Sequence, residues 1–215
     1  MSEKQRIIVD IVADFVCPWC FVGLSSFLYA KEELGQTFEV IPRFRAYQLN
    51  PDTPLEGVDR QAYYEKKFPD AAQREMMRAR LIESAMAAGA DFDPALPTRI
   101  PNTLRAHSVL RWAHYDGKHV DVAKAIYNAY WKKGADIGEV EPLAEIAGGA
   151  GMDGAKVAER LLAREDEFPV RGEADALRRG GVSGVPTFIV NERAGFAGAL
   201  PPGQLTEALK KAATL

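Results

Sequence analysis

The chain has 215 residues, of which 47% are hydrophobic and 27% are charged, with a formal net charge of −3. A chain of this length can bury roughly 70% of the surface that its unfolded form exposes, so it needs no disulfide bond to fold. Its basic residues are scattered along the sequence, which argues against a nucleic-acid partner.

The amino-terminal stretch predicts a cytoplasmic protein without a membrane partner. Residues 1–6 are polar, and the apolar run over residues 7–15 is short and contains Asp10 and Asp14. Such a run is typical neither of a signal peptide nor of a membrane-spanning helix. In the cytoplasm, a lone pair of cysteines is more often catalytic or redox-sensing than structural.

The first 45 residues predict a strand, a helix and a second strand. The β-branched run over 7–15 is typical of a buried strand, and apolar residues follow at helical spacing over 21–34. Residues 38–45 form the second strand, in which Pro42 indicates a sheet edge or a bulge. Gly35 can end the helix. Strand, helix and strand at this spacing predict a right-handed parallel βαβ unit.

From about Asp59 the sequence predicts helices for more than a hundred residues. Asp70 is expected to begin a helix that ends near Ala88, and Asn102 is expected to cap a helix that ends at Tyr115. Further helices are predicted over residues 120–133, 142–148, 155–164 and 168–179.

Strand character returns near the end of the chain. Residues 184–197 predict a β-hairpin, and residues 201–213 predict a last helix. The order βαβ, helical block, ββα predicts an α/β fold interrupted by an all-helical insertion. We expect residues 1–58 and 180–215 to form the α/β domain and residues 59–179 to form the inserted domain.

The two cysteines of the chain, Cys17 and Cys20, stand in a Cys-Pro-Trp-Cys run between the first strand and the first helix. A pair with this spacing at a helix start is typical of thiol–disulfide exchange. At the N-cap, Cys17 would face free backbone N–H groups and the positive end of the helix dipole, which favour a thiolate. We therefore predict that Cys17 is the exposed nucleophile and that Cys20 is the buried thiol that resolves the mixed disulfide.

Two other interpretations of the cysteine pair stay open. The pair could be two unreactive core cysteines, or it could be half of a zinc site. None of the three histidines stands at zinc-finger spacing from a cysteine, so we predict no metal. Instead, His107, Arg111 and His114 share one helical face, and we expect that face to be solvated or to cap a helix.

A second signal lies far along the chain, in Val185-Pro186-Thr187. There a proline stands at the start of a strand pattern. A cis peptide bond would turn the backbone toward a ligand, whereas the alternative is an ordinary edge-strand proline. In combination with the cysteine motif ahead of a βαβ unit, we predict the cis form.

Five separated motifs resemble the DsbA family of thioredoxin-fold proteins, and most closely its cytoplasmic FrnE-like branch. The motifs are residues 14–20, residues 44–51, Asn102-Thr103 with Ala106-His107, residues 184–188, and residues 198–202. The resemblance implies a thioredoxin fold with an inserted all-helical domain. It also implies a redox-active disulfide that exchanges with protein or small-molecule thiols.

The resemblance also implies roles for residues around the cysteines. Val185 and Pro186 would pack beside Cys17, and the residues expected to support the site are Asp14, Pro18, Trp19, Val185, Pro186 and Thr187. Substrate contacts are expected from Phe15, Tyr47, Asn50 and His107. Core packing is the alternative for Phe15 and Tyr47, whereas we expect Trp19 to be exposed.

Two departures from the family pattern bear on chemistry. Related 2-hydroxychromene-2-carboxylate isomerases and kappa-class glutathione transferases carry serine at the position of Cys17 and a Ser-Asp or Asn-Asp pair after the last strand's glycine. Here Ala199-Leu200 follows Gly198, so we expect no bound cofactor, with glutathione as a possible thiol partner. Thioredoxins and DsbA carry a buried carboxylate at the position of Ile11, so the proton of Cys20 would pass to water or to Asp14.

The sequence therefore predicts a DsbA-like thiol–disulfide oxidoreductase, acting as a monomer or a homodimer. Two alternatives stay open. One is a glutathione-dependent isomerase or transferase acting on small aromatic or polyketide-like substrates. The other is a non-catalytic peptide-binding adaptor or holdase.

Overall fold

A computed structural model describes residues 4–214, and no helix in this range is long and apolar enough to cross a membrane. Its elements in chain order are β1 (Gln5–Ala13), α1 (Pro18–Leu34), β2 (Phe38–Ala46), β3 (Val58–Asp59), α2 (Arg60–Lys67), α3 (Ala71–Ala87), β4 (Arg99–Ile100), α4 (Leu104–Tyr115), α5 (His119–Lys133), α6 (Val140–Gly149), α7 (Gly154–Leu162), α8 (Glu167–Arg179), β5 (Thr187–Val190), β6 (Ala194–Ala197) and α9 (Pro202–Ala213).

The central sheet has the strand order β2-β1-β5-β6. Strand β1 runs parallel to β2 and antiparallel to β5, and β6 runs antiparallel to β5. Consecutive residues at the end of β1 are all buried, which shows that both faces of the sheet are covered there. The parallel pairing and the edge position of β2, which contains Pro42, confirm two sequence predictions.

Every helix that the sequence predicts is present, with shifted ends. Helix α1 begins at Pro18, earlier than predicted, because Cys17 is its N-cap and Pro18 fits the first helical position. The N-cap of α4 is Thr103, but the Asn102 side chain still accepts a hydrogen bond from the Leu104 N–H at 3.0 Å. The short antiparallel pair β3-β4 was not predicted, since two-residue strands carry no hydrophobic period.

Helix α5 connects the helical block to the sheet. One cluster of buried residues runs continuously from β1 and α1 into α4, α5 and α6. Two side chains of α5 donate hydrogen bonds to the segment after β1: Tyr127 Oη to the Asp14 carbonyl at 3.2 Å, and Trp131 Nε1 to the Phe15 carbonyl at 3.0 Å. The division of the chain into two domains stays a prediction.

At Gly23, helix α1 packs tightly against Pro186 in the loop before β5. A Cβ atom built on Gly23 would lie 2.9 Å from Pro186 Cγ, which is closer than atoms in contact can stand. At Gly172 in α8, by contrast, a Cβ atom would meet nothing within 4 Å.

We predict that Gly23→Ala lowers the free energy of unfolding by about 1–3 kcal/mol, because the added methyl overpacks the contact with the rigid proline ring. Gly172→Ala is the matched control and should raise it by about 1 kcal/mol, since alanine is the better helix former. Urea unfolding of both variants measures the difference. Equal stabilities for the two variants would show that α1 and Pro186 are not in close contact.

Candidate active site

The Cys-Pro-Trp-Cys run begins helix α1 in the way that the sequence predicts. Cys17 is the N-cap with extended backbone angles, and its side chain makes no capping hydrogen bond. The Cys17 N–H donates to the Asp14 carbonyl at 3.1 Å, and the Cys20 N–H donates to the Cys17 carbonyl at 3.1 Å. The Cys17 thiol is therefore not engaged in holding the helix end and is available for chemistry.

The loop of residues 184–187 meets this helix start. The Val185–Pro186 peptide bond is cis, which confirms the prediction from the sequence. The Cys17 Sγ atom lies 3.7 Å from the Val185 carbonyl oxygen, which joins positions 168 residues apart in the chain. Thr187 Oγ1 donates to the Gly184 carbonyl at 2.7 Å and closes the loop on itself.

Both cysteines are unbonded thiols, and both are buried. Cys17 is 5% exposed and Cys20 is 1% exposed. The expectation of an exposed Cys17 is thus wrong: its thiol packs against the Val185 carbonyl and opens into a cavity. Trp19 is partly buried, not exposed as expected, because it packs against two clusters of buried apolar residues; it also lines that cavity.

The environment of Cys20 opposes ionisation. Burial raises the pKa of Cys20 well above its ordinary value of 9.0, and the neighbouring Cys17 thiol raises it further. A charged sulfur in this position would lose most of its hydration, so the neutral thiol is favoured. The second step of any exchange therefore requires a group that removes this proton.

Asp14 lies at the end of β1 as a buried carboxylate that is 1% exposed. Its Oδ2 accepts a hydrogen bond from the Leu49 N–H at 2.7 Å, and its Oδ1 lies 3.4 Å from His107 Nε2. That nitrogen also lies 3.2 Å from the Tyr47 carbonyl oxygen. Within residues 4–214, Asp14 Oδ1 has no hydrogen-bond partner, so it has a lone pair free to take a proton.

The position of His107 corrects the expectation of a solvated face. His107 is 3% exposed, because α4 packs this residue against the ends of β1 and β2. His114 on the same helix is exposed, as expected, and Arg111 is intermediate between them. Ile11, at the usual place of the family's carboxylate, is a buried apolar residue paired with Phe44 and Phe188.

Tyr127 and Trp131, which no sequence pattern identified, hold the turn before Cys17 through the hydrogen bonds to the Asp14 and Phe15 carbonyls. Burial raises the pKa of Tyr127 well above its ordinary value of 10.0, and the neighbouring Cys20 and Cys17 sulfurs raise it further. In the sequence these residues look like any other aromatic residues on the inner face of a helix, so no local signal could have identified them.

A cavity of about 340 Å³ opens beside the motif. Its walls come from residues 16–19, the loop after β2, helices α2 and α3, and the segment that leads into β4. Of the four residues expected to touch substrate, Asn50 lines the cavity, and its side chain accepts a hydrogen bond from Tyr63 Oη at 2.6 Å.

The other three residues expected to touch substrate lie in the interior. Phe15 packs its ring against His107 and Tyr127, with ring centres 5.0 and 4.9 Å apart, and Tyr47 directs its hydroxyl to the Val182 carbonyl at 3.4 Å. Within residues 4–214, no group of three or more His, Cys, Asp or Glu side chains is placed to hold a metal ion.

We predict that the buried Cys20 makes the reduced protein less stable in alkali. Because its pKa is raised in the folded state, the unfolded chain releases this proton first as the pH rises. The stabilising contribution of the buried Cys20 thiol to the free energy of unfolding is therefore fully present below the ordinary pKa. Above it, the free energy of unfolding falls by about 1.4 kcal/mol per pH unit. Urea unfolding of reduced protein between about pH 8 and 10 measures the slope.

Cys20→Ala is the control for this slope. Its stability should fall less steeply over the same pH range, because it lacks the buried thiol while it keeps the buried tyrosines. Parallel curves for the two proteins would contradict the shift at Cys20.

Comparison with known proteins agrees with the fold. Residues 8–210 match the family model of the DSBA-like thioredoxin domain. A probable DsbA oxidoreductase from Streptomyces coelicolor has a TM-score of 0.86 and 26% identity, over 96% of this chain and 89% of that one.

Two more distant solved structures share the fold. A 2-hydroxychromene-2-carboxylate isomerase has a TM-score of 0.69 and 17% identity, over 95% of both chains. The cytosolic disulfide reductase DsbM from Pseudomonas aeruginosa, solved with GSH, has a TM-score of 0.66 and 20% identity, over 97% of this chain and all (100%) of that one. The predicted thioredoxin fold is confirmed, and the chain belongs to the DSBA-like thioredoxin domain family.

Proposed function

We propose that this protein is a thiol–disulfide oxidoreductase that cycles Cys17 and Cys20 between dithiol and disulfide. The observation that carries the proposal is the arrangement of the two thiols. Cys17 stands at a helix N-terminus beside the cis-proline loop and opens into a cavity, whereas Cys20 is enclosed one turn further along. A reactive thiol and a shielded partner are the two parts that an exchange cycle needs.

The reaction proceeds in two displacements. The Cys17 thiolate attacks one sulfur of a substrate disulfide, forms a mixed disulfide and expels the other sulfur as a thiolate. Cys20 then loses its proton and attacks Cys17 Sγ, which forms the Cys17–Cys20 disulfide and expels the second substrate sulfur. The protein has lost two electrons, and the substrate disulfide has become two thiols. The reverse sequence oxidises a substrate dithiol.

Asp14 is the group that we assign to the proton of Cys20. Burial and the Cys17 thiol raise the pKa of Cys20 most, the backbone of Asp14 lowers it through a hydrogen bond, and the charge of Asp14 raises it slightly, so Asp14 lies close enough to act on this sulfur. Its free Oδ1 can receive the proton, and His107, 3.4 Å away, can stabilise the carboxylate that is left after the proton moves on. This assignment gives the proton a route although Ile11 occupies the family's usual carboxylate position.

Glutathione-dependent isomerisation or transfer is the second candidate, and it draws support from the fold shared with the isomerase. Against it, Cys17 replaces the serine of such enzymes, and Ala199-Leu200 offers no side-chain acceptor for the γ-glutamyl end of glutathione. We therefore keep glutathione as a thiol partner, not as a bound cofactor. A peptide-binding adaptor is the third candidate.

The cytoplasm is the compartment that we propose for this activity. Support comes from the cytosolic disulfide reductase that shares the fold. Protein thiols and small-molecule thiols both remain candidate substrates.

We predict that Cys17→Ser abolishes both insulin reduction and the oxidation of a dithiol peptide, because the attacking sulfur is gone. Cys20→Ser should instead accumulate the mixed disulfide with substrate, which mass spectrometry of the intact protein detects. Full turnover by Cys17→Ser would exclude the exchange mechanism. A wild-type protein without turnover, whose client binding is unchanged in Cys17→Ser, would support the adaptor.

We predict that Asp14→Asn slows the decay of the mixed disulfide by about 100-fold at neutral pH but does not slow its formation. This is the rate effect typical of a positioned general base. The rate should recover as the pH rises, because hydroxide takes over the proton. Stopped-flow quenching with mass detection separates the two steps, and the exposed carboxylate in Asp175→Asn is the matched control. An equal loss in both steps, independent of pH, would mean that Asp14 is only structural.

A further inference from the structure

The cavity beside Cys17 has an uneven charge. Four basic side chains line it, those of Arg60, Lys67, Arg74 and Arg78, and among residues 4–214 no Asp or Glu side chain does. The chain as a whole carries a formal net charge of −3, so the excess of positive charge is local to this site. Like charges gathered around one cavity repel each other, and a bound anion relieves this repulsion.

Arg60 lies at the start of α2 and stacks on aromatic rings. Its guanidinium carbon lies 4.7 Å from the centre of the Tyr64 ring and 5.9 Å from that of Trp131. Its Nε is buried and has no hydrogen-bond partner among residues 4–214. Stacking holds the guanidinium plane in place and leaves N–H donors for a ligand that accepts hydrogen bonds.

The other three cations also lack carboxylate partners in the described range. Lys67 Nζ contacts Tyr63 Oη at 2.6 Å, and Arg74 donates to two backbone carbonyls at 2.6 and 3.0 Å. The Arg78 side chain is exposed at the rim. None of these contacts neutralises a charge, so the site keeps its positive potential.

The remaining wall is largely apolar. Leu49, Met77, Leu81 and Ile100 face the same space, and Cys17 lies on its boundary. A volume of about 340 Å³ falls within the range of sites that take small molecules. The complementary ligand therefore combines an apolar body with an acid group.

We propose that the cavity binds a low-molecular-weight organic disulfide, or the corresponding thiol, whose apolar or aromatic body carries an acid group. This proposal rests on the exchange function proposed above and names its substrate class. The acid group lies among Arg60, Lys67 and Arg78, and the disulfide lies at Cys17. Cys17 bonds to one substrate sulfur and the other leaves as a thiolate. Cys20 then displaces the second, so that two substrate thiols and the protein disulfide result.

Two aromatic disulfides test the charge selection: dithiobis(nitrobenzoic acid), with two carboxylates, and dithiodipyridine, which is uncharged at neutral pH. The rate at which each oxidises the reduced protein is divided by its rate with a simple free thiol, to remove intrinsic reactivity. We predict that Arg60→Gln and Arg78→Gln each slow the dicarboxylate by about tenfold, as expected for a lost charged hydrogen bond. The uncharged probe should change by less than about twofold.

Two control variants separate charge from fold. Arg193→Gln removes one exposed cation from the turn between β5 and β6, at the opposite end of β1 from Cys17, and should slow neither probe. Arg60→Lys keeps the charge and should keep most of the rate with the dicarboxylate. Equal slowing of both probes in Arg60→Gln and Arg78→Gln would overturn the proposal, because the cations would then act only through packing.

Binding without exchange distinguishes failure of this proposal from failure of the proposed function. The S-methyl thioether of thionitrobenzoate keeps the ring and the carboxylate but has no disulfide. The methyl ester of this compound also lacks the negative charge. Calorimetry with Cys17→Ser should show binding of the acid, weakened by Arg60→Gln, and weaker binding of the ester. If both bind alike, or neither binds, the anion site is absent. If the acid binds selectively but neither disulfide reacts with the wild type, the proposed exchange function is wrong, and so is the substrate class that rests on it.

Discussion

The active site depends on how helix α5 satisfies two buried carbonyl groups. The carbonyls of Asp14 and Phe15 lie in the turn between β1 and α1, and they accept hydrogen bonds from Tyr127 and Trp131. A buried carbonyl without a partner is costly, so these two contacts fix the path of the turn. This turn places Cys17 at the N-cap of α1, with its thiol against the Val185 carbonyl.

The same packing gives the two cysteines different surroundings. Cys17 opens into the cavity, whereas Cys20 faces the buried side, where its raised pKa keeps it neutral until a base acts. Asp14 belongs to both arrangements, because its backbone carbonyl anchors the turn and its carboxylate lies on the buried side with His107. The helical block thus builds part of the site, and a change on α4 or α5 can alter the proposed exchange without touching either sulfur.

Different parts of the cavity wall supply the reactive residues and the charged residues. Residues 16–19 supply the reactive end, and helices α2 and α3 supply the four cations and part of the apolar wall. These helices lie on the chain between β2 and β4, outside the central sheet, so their surfaces can vary while the sheet and the thiols stay the same. Under the substrate class proposed above, selectivity would follow from the charge of this helical wall, whereas the Cys-Pro-Trp-Cys run supplies the reacting sulfurs.

Local patterns in the sequence determined the elements and the reactive pair, because each depends on neighbours in the chain. Cysteine spacing, Pro18 in the first turn of α1 and a proline at the start of a strand pattern are signals of this kind. Only the tertiary structure decided the burial of Cys17, the pairing of His107 with Asp14 and the hydrogen bonds from α5, since these join residues far apart in sequence. The cluster of four cations around the cavity was equally hidden, because charges that are scattered along the chain converge only when α2 and α3 pack beside the motif.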